Sequence, residues 1–244
     1  MLELRNLCVS VHGKQILRNV NLKIEKGERQ VVFGPNASGK TTLAMTIMGI
    51  PLYEVNSGQI LFEGREITNL SVTERAKLGI FVTYQSPPAI RGVRLGSLLG
   101  FLTKEDPEKL LEKVYLSRDF ANRELGVGFS GGEKKRSEIA QAFGVKPKLL
   151  ILDEIDTGID IESLKMIGNE IKGFLRRERT TLLAITHYGH VLEYLEPDTA
   201  YVMVRGQVAC YGRPDRVWEQ IAAKGYGWCE ECVKKGYVKK LGKE

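Results

Sequence analysis

The eight residues Gly34 to Thr41, GPNASGKT, constrain the fold of this chain more than any other stretch. They match G-x-x-x-x-G-K-[ST] in the context that gives the pattern physical meaning. The apolar run Arg29–Phe33 (RQVVF) reads as a strand before them, and Thr41 to Met48 reads as a helix after them. A strand, a glycine-rich loop and a helix in that order belong to α/β folds that bind ligands at the strand ends. Glycines let backbone N–H groups curl around a polyphosphate, and the helix N-terminus adds a positive partial charge. In this reading Gly34, Pro35, Asn36, Ala37, Ser38, Gly39 and Thr42 frame a nucleotide's phosphates. Lys40 reaches the β- and γ-phosphates, and the Thr41 hydroxyl ligates Mg²⁺.

Three further segments end where such a ligand would sit. Leu149–Asp153 (LLILD) and Thr181–Thr186 (TLLAIT) are continuous apolar runs, the pattern of parallel strands covered on both faces. The first ends in Asp153 and Glu154, the second in His187. Asp153 is placed to hold Mg²⁺, and Glu154 to orient and deprotonate an attacking water. If the two strands are neighbours, His187 lies near the γ-phosphate. Gln85 ends the FVTYQ run and can coordinate Mg²⁺ or its water through its amide oxygen.

FSGGEKKR, Phe129 to Arg136, is locally costly. Ser130 and Glu133 form the S-x-x-E capping box that starts a helix, continued by Ile139, Ala140 and Phe143 and stopping near Gly144. Yet Gly131 and Gly132 cost roughly 1 kcal/mol each relative to alanine. Lys134, Lys135 and Arg136 oppose the helix dipole in the same turn. Both costs make sense if an anion meets bare backbone at this terminus. Because Lys40's loop already holds one nucleotide, the expectation is a second nucleotide held by another copy of the chain.

The first 30 residues alternate apolar and polar side chains (Leu7, Val9, Val11, Leu22, Ile24) and suggest short antiparallel strands. Gln59–Phe62 and Ile80–Tyr84 read as strands, and Arg94–Phe101 and Pro107–Leu116 as helices within a helical insert over residues 86–142. Ala200–Val204 and Gln207–Tyr211 read as a hairpin joined at Arg205-Gly206. The expected organisation is one domain spanning residues 1–244. No run of about 18 apolar residues and no apolar leader is visible, so a soluble, cytoplasmic protein without direct membrane insertion is expected. The formal charge of +6 gathers at Lys134–Arg136, Arg176–Arg179 and Lys234 to Lys243, which reads as solvated surface rather than a nucleic-acid site. Cys229 and Cys232 form a CxxC, half of a metal site at most, and read as two ordinary thiols.

In order, GPNASGKT, FVTYQ, FSGGE, LLILDE, IDTGID and ITH resemble the motifs of ATP-binding-cassette (ABC) ATPases. The resemblance covers nearly the whole chain. It implies a P-loop NTPase of ABC type: a RecA-like parallel-sheet core, an N-terminal antiparallel β subdomain and an inserted α-helical subdomain. It implies ATP and Mg²⁺ as cofactors and an ATP-dependent head-to-tail homodimer. In that dimer Ser130, Gly131, Gly132, Glu133 and Asp160 face the opposite subunit and its nucleotide, while Lys40, Gln85, Glu154 and His187 serve hydrolysis. FSGGEKKRSEI carries Glu133 where transporter cassettes usually have glutamine. Together with LLILDEIDTGIDIESLK, ITHYGHVLEYLEPD and AKGYGW, it resembles SufC-type cassettes of the SUF iron–sulphur cluster assembly system. That implies a SufB/SufD-like scaffold partner, docked near Gln85–Arg94. The alternative is the ATP-binding subunit of a membrane ABC transporter. Two departures stand out. Ala37 replaces a glycine common in the family, tolerable only at negative φ. Val11 and His12 occupy the region where the family usually has an adenine-stacking aromatic.

Overall fold

A computed structural model describes residues 1–156, 158–234 and 238–242; Thr157 of the IDTGID motif lies outside the described residues. The chain runs through β1 (Leu2–Val11), β2 (Lys14–Ile24), β3 (Arg29–Phe33), α1 (Lys40–Met48), β4 (Tyr53–Phe62), β5 (Arg65–Glu66), α2 (Val72–Leu78) and β6 (Ile80–Val82). Next come α3 (Leu95–Leu102), α4 (Pro107–Lys113), a 3₁₀ turn (Arg118–Asn122), α5 (Gly131–Val145), β7 (Leu149–Asp153) and α6 (Ile161–Glu178). It closes with β8 (Thr181–Thr186), α7 (Val191–Leu195), β9 (Thr199–Val204), β10 (Gln207–Gly212), α8 (Pro214–Lys224), α9 (Gly227–Lys234) and β11 (Lys239–Leu241).

Two sheets result. One has the order β2-β1-β4-β5 and is antiparallel. The other has the order β11-β10-β9-β3-β8-β7-β6. In it β9, β3, β8, β7 and β6 run parallel, and β10 turns back antiparallel on β9. The alternation in β1 and β2 sends Leu2, Leu4, Leu7, Val9, Leu17, Val20, Leu22 and Ile24 into a core shared with Leu43 and Ile47 of α1. His12 and Gly13, both at positive φ, make the two-residue turn between these strands. Every residue of β7 and of β8 is buried, as their unbroken apolar sequence requires. The opposite face of the core sheet packs against the helical insert, α6 and α8. The fold is therefore the α/β cassette architecture, with an antiparallel sheet before the parallel core and helices inserted between β6 and β7.

Several boundaries differ from the sequence reading. β4 starts at Tyr53, because its exposed first half pairs with β1 and needs no apolar alternation. β6 stops at Val82, not Tyr84, because side chains of α5 take both polar groups of the Tyr84 backbone. Helix α5 runs to Val145 and ends where Lys146 turns left-handed.

Candidate active site

Strand β3 delivers the chain to Gly34 inside the sheet. A β-carbon there would lie 2.3 Å from the Met203 carbonyl oxygen, so only glycine fits. The loop closes at Gly39, whose φ of 100° starts α1 without a side-chain cap. Its backbone N–H groups are thereby left for a ligand. Lys40 is buried and folds back, donating to the Gly34 carbonyl at 2.9 Å and the Pro35 carbonyl at 3.0 Å. Burial pushes its pKa down to about 8, against the attraction of Glu154 and Asp153. Ala37 overturns one expectation. Its φ is +60°, not negative, at the exposed tip of the loop. The methyl meets open solvent, so the conformation costs only the roughly 1–2 kcal/mol of a left-handed alanine.

β7 and β8 are neighbours, paired Leu149↔Thr181 through Asp153↔Ile185, so their ends place Asp153, Glu154 and His187 together. Glu154 leaves the strand at a φ of +50°, a strained conformation held by its N–H donating to the Ile185 carbonyl. That turn aims its carboxylate back over the loop. Oε1 meets His187 Nε2 at 2.5 Å, and Oε2 accepts from the Gln85 side-chain amide. Both oxygens of the candidate base are therefore engaged. Gln85 reaches Glu154 through its nitrogen, and its amide oxygen has no hydrogen-bond partner among the described residues. A cavity of about 410 Å³ is lined by Asn36 to Thr42 together with Gln85, Glu154 and His187.

Asp153 is fully buried, and neither carboxylate oxygen has a hydrogen-bond partner among the described residues. Burial pushes its pKa up to about 6, although the neighbouring Thr41 hydroxyl and the charges of Lys135 and Lys40 ease it. An orphaned carboxylate beside a threonine hydroxyl at a phosphate loop is an oxygen-donor set suited to Mg²⁺. Thr41, Asp153 and the free amide oxygen of Gln85 could hold the ion together with phosphate oxygens.

The start of α5 forms the capping box in full: Glu133 N–H donates to Ser130 Oγ at 3.3 Å, and Ser130 N–H donates to Glu133 Oε2 at 2.7 Å. Gly131 is exposed, with no atom of the described residues within 4 Å of a β-carbon built on it. None of residues 130–133 lines the cavity. The cations of this turn do not all face outward, contrary to the sequence reading. Lys135 is buried and donates to the Tyr84 and Asp153 carbonyls. Arg136 turns to the Tyr115 carbonyl and Ser163 Oγ. Both face inward because i+5 and i+6 from the cap lie on the helix side packed against the core. Asp160 caps α6, accepting from Ser163 N–H at 2.8 Å.

Three features escaped the sequence reading. Ile16, rather than Val11 or His12, is the apolar side chain of the first hairpin at the cavity. Glu138, within α5, accepts from Tyr84 N–H. Trp218 of α8 lies against Phe33, ring centroids 5.4 Å apart and tilted by 40°, and packs so tightly on Gly189 that a β-carbon there would fall 2.1 Å from the indole. No local pattern signals a contact between segments so far apart in the chain.

Known proteins match this arrangement. The sequence profile described as "ABC transporter" matches residues 17–157. "Vegetative protein 296" of Bacillus subtilis (strain 168) is 39% identical over 247 aligned residues, covering 94% of this chain and 93% of that protein. "Probable ATP-dependent transporter ycf16" of Trieres chinensis is 38% identical, covering 93% and 97%. A solved dimer of an ATP-binding cassette bound to ADP and Pi superimposes with a TM-score of 0.76 at 23% identity, over 88% of this chain and 99% of that one.

Proposed function

From the premise that the chain belongs to the ABC transporter family, whose cassettes bind ATP with Mg²⁺ and hydrolyse it, we propose that it is a SufC-like ATPase that remodels a SufB/SufD-type scaffold for iron–sulphur cluster assembly. One observation supports the shared-centre part of this reading. The cavity gathers Lys40, Gln85, Glu154 and His187 but no residue of the α5 tip, and Gly131 stands open to solvent. A second copy docked head to tail brings its Ser130–Gly132 backbone, and Asp160 beside it, to the nucleotide held here. The dimer form of the solved cassette bound to ADP and Pi is consistent with that arrangement.

The chemistry follows from positions already described. Backbone N–H groups of residues 36–41 and the Lys40 ammonium take the β- and γ-phosphates. Thr41 and Asp153 would hold Mg²⁺, which would supply positive charge against the β- and γ-phosphates. Gln85 withdraws from Glu154 toward that site, which frees Oε2 to accept a proton from water. His187 keeps the carboxylate oriented by its contact with Oε1. Two nucleotides bridging two copies favour the closed dimer, and hydrolysis releases it. The exposed apolar residues Tyr84, Ile90 and Val93 lie within eight residues of Gln85 in the chain and offer the scaffold a contact in the segment that leads from it.

The scaffold assignment itself rests on FSGGEKKRSEI, LLILDEIDTGIDIESLK and ITHYGHVLEYLEPD. A second reading, the ATP-binding subunit of a membrane transporter, is favoured by the name of the Trieres relative. Affinity purification of the chain from its native host in mild detergent separates the two. A soluble, β-rich partner with labile iron and sulphide is expected; an integral membrane partner would replace the first reading with the second.

A further inference from the structure

Strand β6 ends at Val82, yet the next residues are held as firmly as a strand would hold them. Tyr84 N–H donates to Glu138 Oε1 at 3.0 Å, and the Tyr84 carbonyl accepts from Lys135 Nζ at 2.7 Å. The same ammonium donates to the Asp153 carbonyl at 3.0 Å. Lys135 is 3% exposed and Glu138 7%, and the second oxygen of Glu138 is buried with no partner among the described residues. A neutral side chain could satisfy either backbone group, and burying charge is far costlier than burying an amide. Burial accordingly raises the Glu138 carboxyl to about 7 and lowers Lys135, while each charge partly offsets the other.

The grip falls on the residue immediately before Gln85, and Gln85 in turn contacts Glu154. We infer that Lys135 and Glu138 are positioning residues: they fix the Tyr84 backbone, and Gln85 after it, to the N-terminal half of α5 and the end of β7, and so aim the Gln85 side chain at Glu154 and the Mg²⁺ site. The inference rests on the reading that Gln85 takes part in ATP hydrolysis. It also ties three moving parts into one. The Gln85 turn, the end of the Asp153 strand and the tip of α5 share two side chains one helical turn apart, so a displacement of Gln85 is passed to Ser130–Gly132.

The test uses the full chain and a double-mutant cycle between E138A and Q85A, with K135M run in parallel so that the outcome does not hang on one variant's folding. Turnover, affinity for a fluorescent ATP analogue and thermal midpoint are measured for each. E138A and K135M are expected to lower kcat about tenfold while leaving nucleotide affinity within about twofold, because neither residue touches the Lys40 loop. Combined with Q85A, neither should slow turnover further, as residues acting through one group are non-additive. E138Q keeps the acceptor for Tyr84 N–H and should restore most of the rate. Unchanged turnover in both variants, full additivity with Q85A, or joint loss of affinity and thermal stability without rescue by E138Q would each overturn the inference. A Q85A variant that turns over normally would remove the Gln85 reading itself, and the inference with it. Impaired Q85A with additive loss removes the inference alone.

Discussion

Asp153 keeps a buried carboxylate with no hydrogen-bond partner among the described residues, and its stability effect has a definite sign. Its folded pKa, about 6, lies above the ordinary 3.8, so the folded state holds the proton more tightly than the unfolded one. The stabilisation this gives is complete below pH 3.8 and is lost as pH rises through about 6. Asp153→Asn should therefore raise the unfolding free energy of the nucleotide-free protein at pH 8 by about 1–3 kcal/mol. That gain should vanish near pH 4, and Mg²⁺-dependent hydrolysis should be lost at every pH; denaturant melts at the two pH values with parallel ATPase assays check it. Glu154→Gln should slow hydrolysis at least about 100-fold and accumulate an ATP-dependent dimer, seen by size-exclusion chromatography. A monomer under saturating Mg-ATP would contradict this. Asp153, Glu154 and His187 were legible in sequence because each ends an apolar run that only a covered strand explains. The direction of Lys135 was not, since which side of a helix meets the core depends on packing that no single segment encodes.

Among the elements, β7 and β8 were readable to the residue, because strands buried on both faces leave unbroken apolar runs. Helix α2 went unread despite its own capping box, Ser71 with Glu74, because it is short and mostly exposed. The cap of α5 was read correctly and can be measured. Ser130→Ala removes the acceptor for Glu133 N–H and should cost about 1 kcal/mol of stability. The contact between α8 and the loop after β8 gives a sharper outcome. Gly189→Ala drives a methyl into the Trp218 indole, a rigid neighbour held in turn against Phe33. The expected cost is about 1–3 kcal/mol, with reduced turnover because His187 lies two residues away. Thermal melts and ATPase rates of the variant test both parts.

At the scale of the whole molecule, the open space around Gly131 allows the shared centre to be probed without disturbing the fold. Gly131→Asp adds a carboxylate at the first position of α5, where the helix dipole welcomes it. It should leave thermal stability and nucleotide affinity intact while placing a negative charge against the partner's phosphates. Gly131→Asp and Lys40→Ala should each be inactive alone. Mixed, they form one dimer site with both faults and one with neither, so hydrolysis should reappear; a mixture as inactive as its components would rule out a centre shared between copies. The packing of Trp218 reaches further still. The indole leans on the strand that feeds the phosphate loop and on the turn that carries the histidine, although it lies beyond the span matched by the family profile. A gene trimmed after Gly212 would keep every recognisable motif and lose the wedge that seats two of them. Such a fragment should emerge from cells as inclusion bodies, or soluble but blind to nucleotide, and co-expression of residues 213–244 as a separate peptide is the natural attempt at repair.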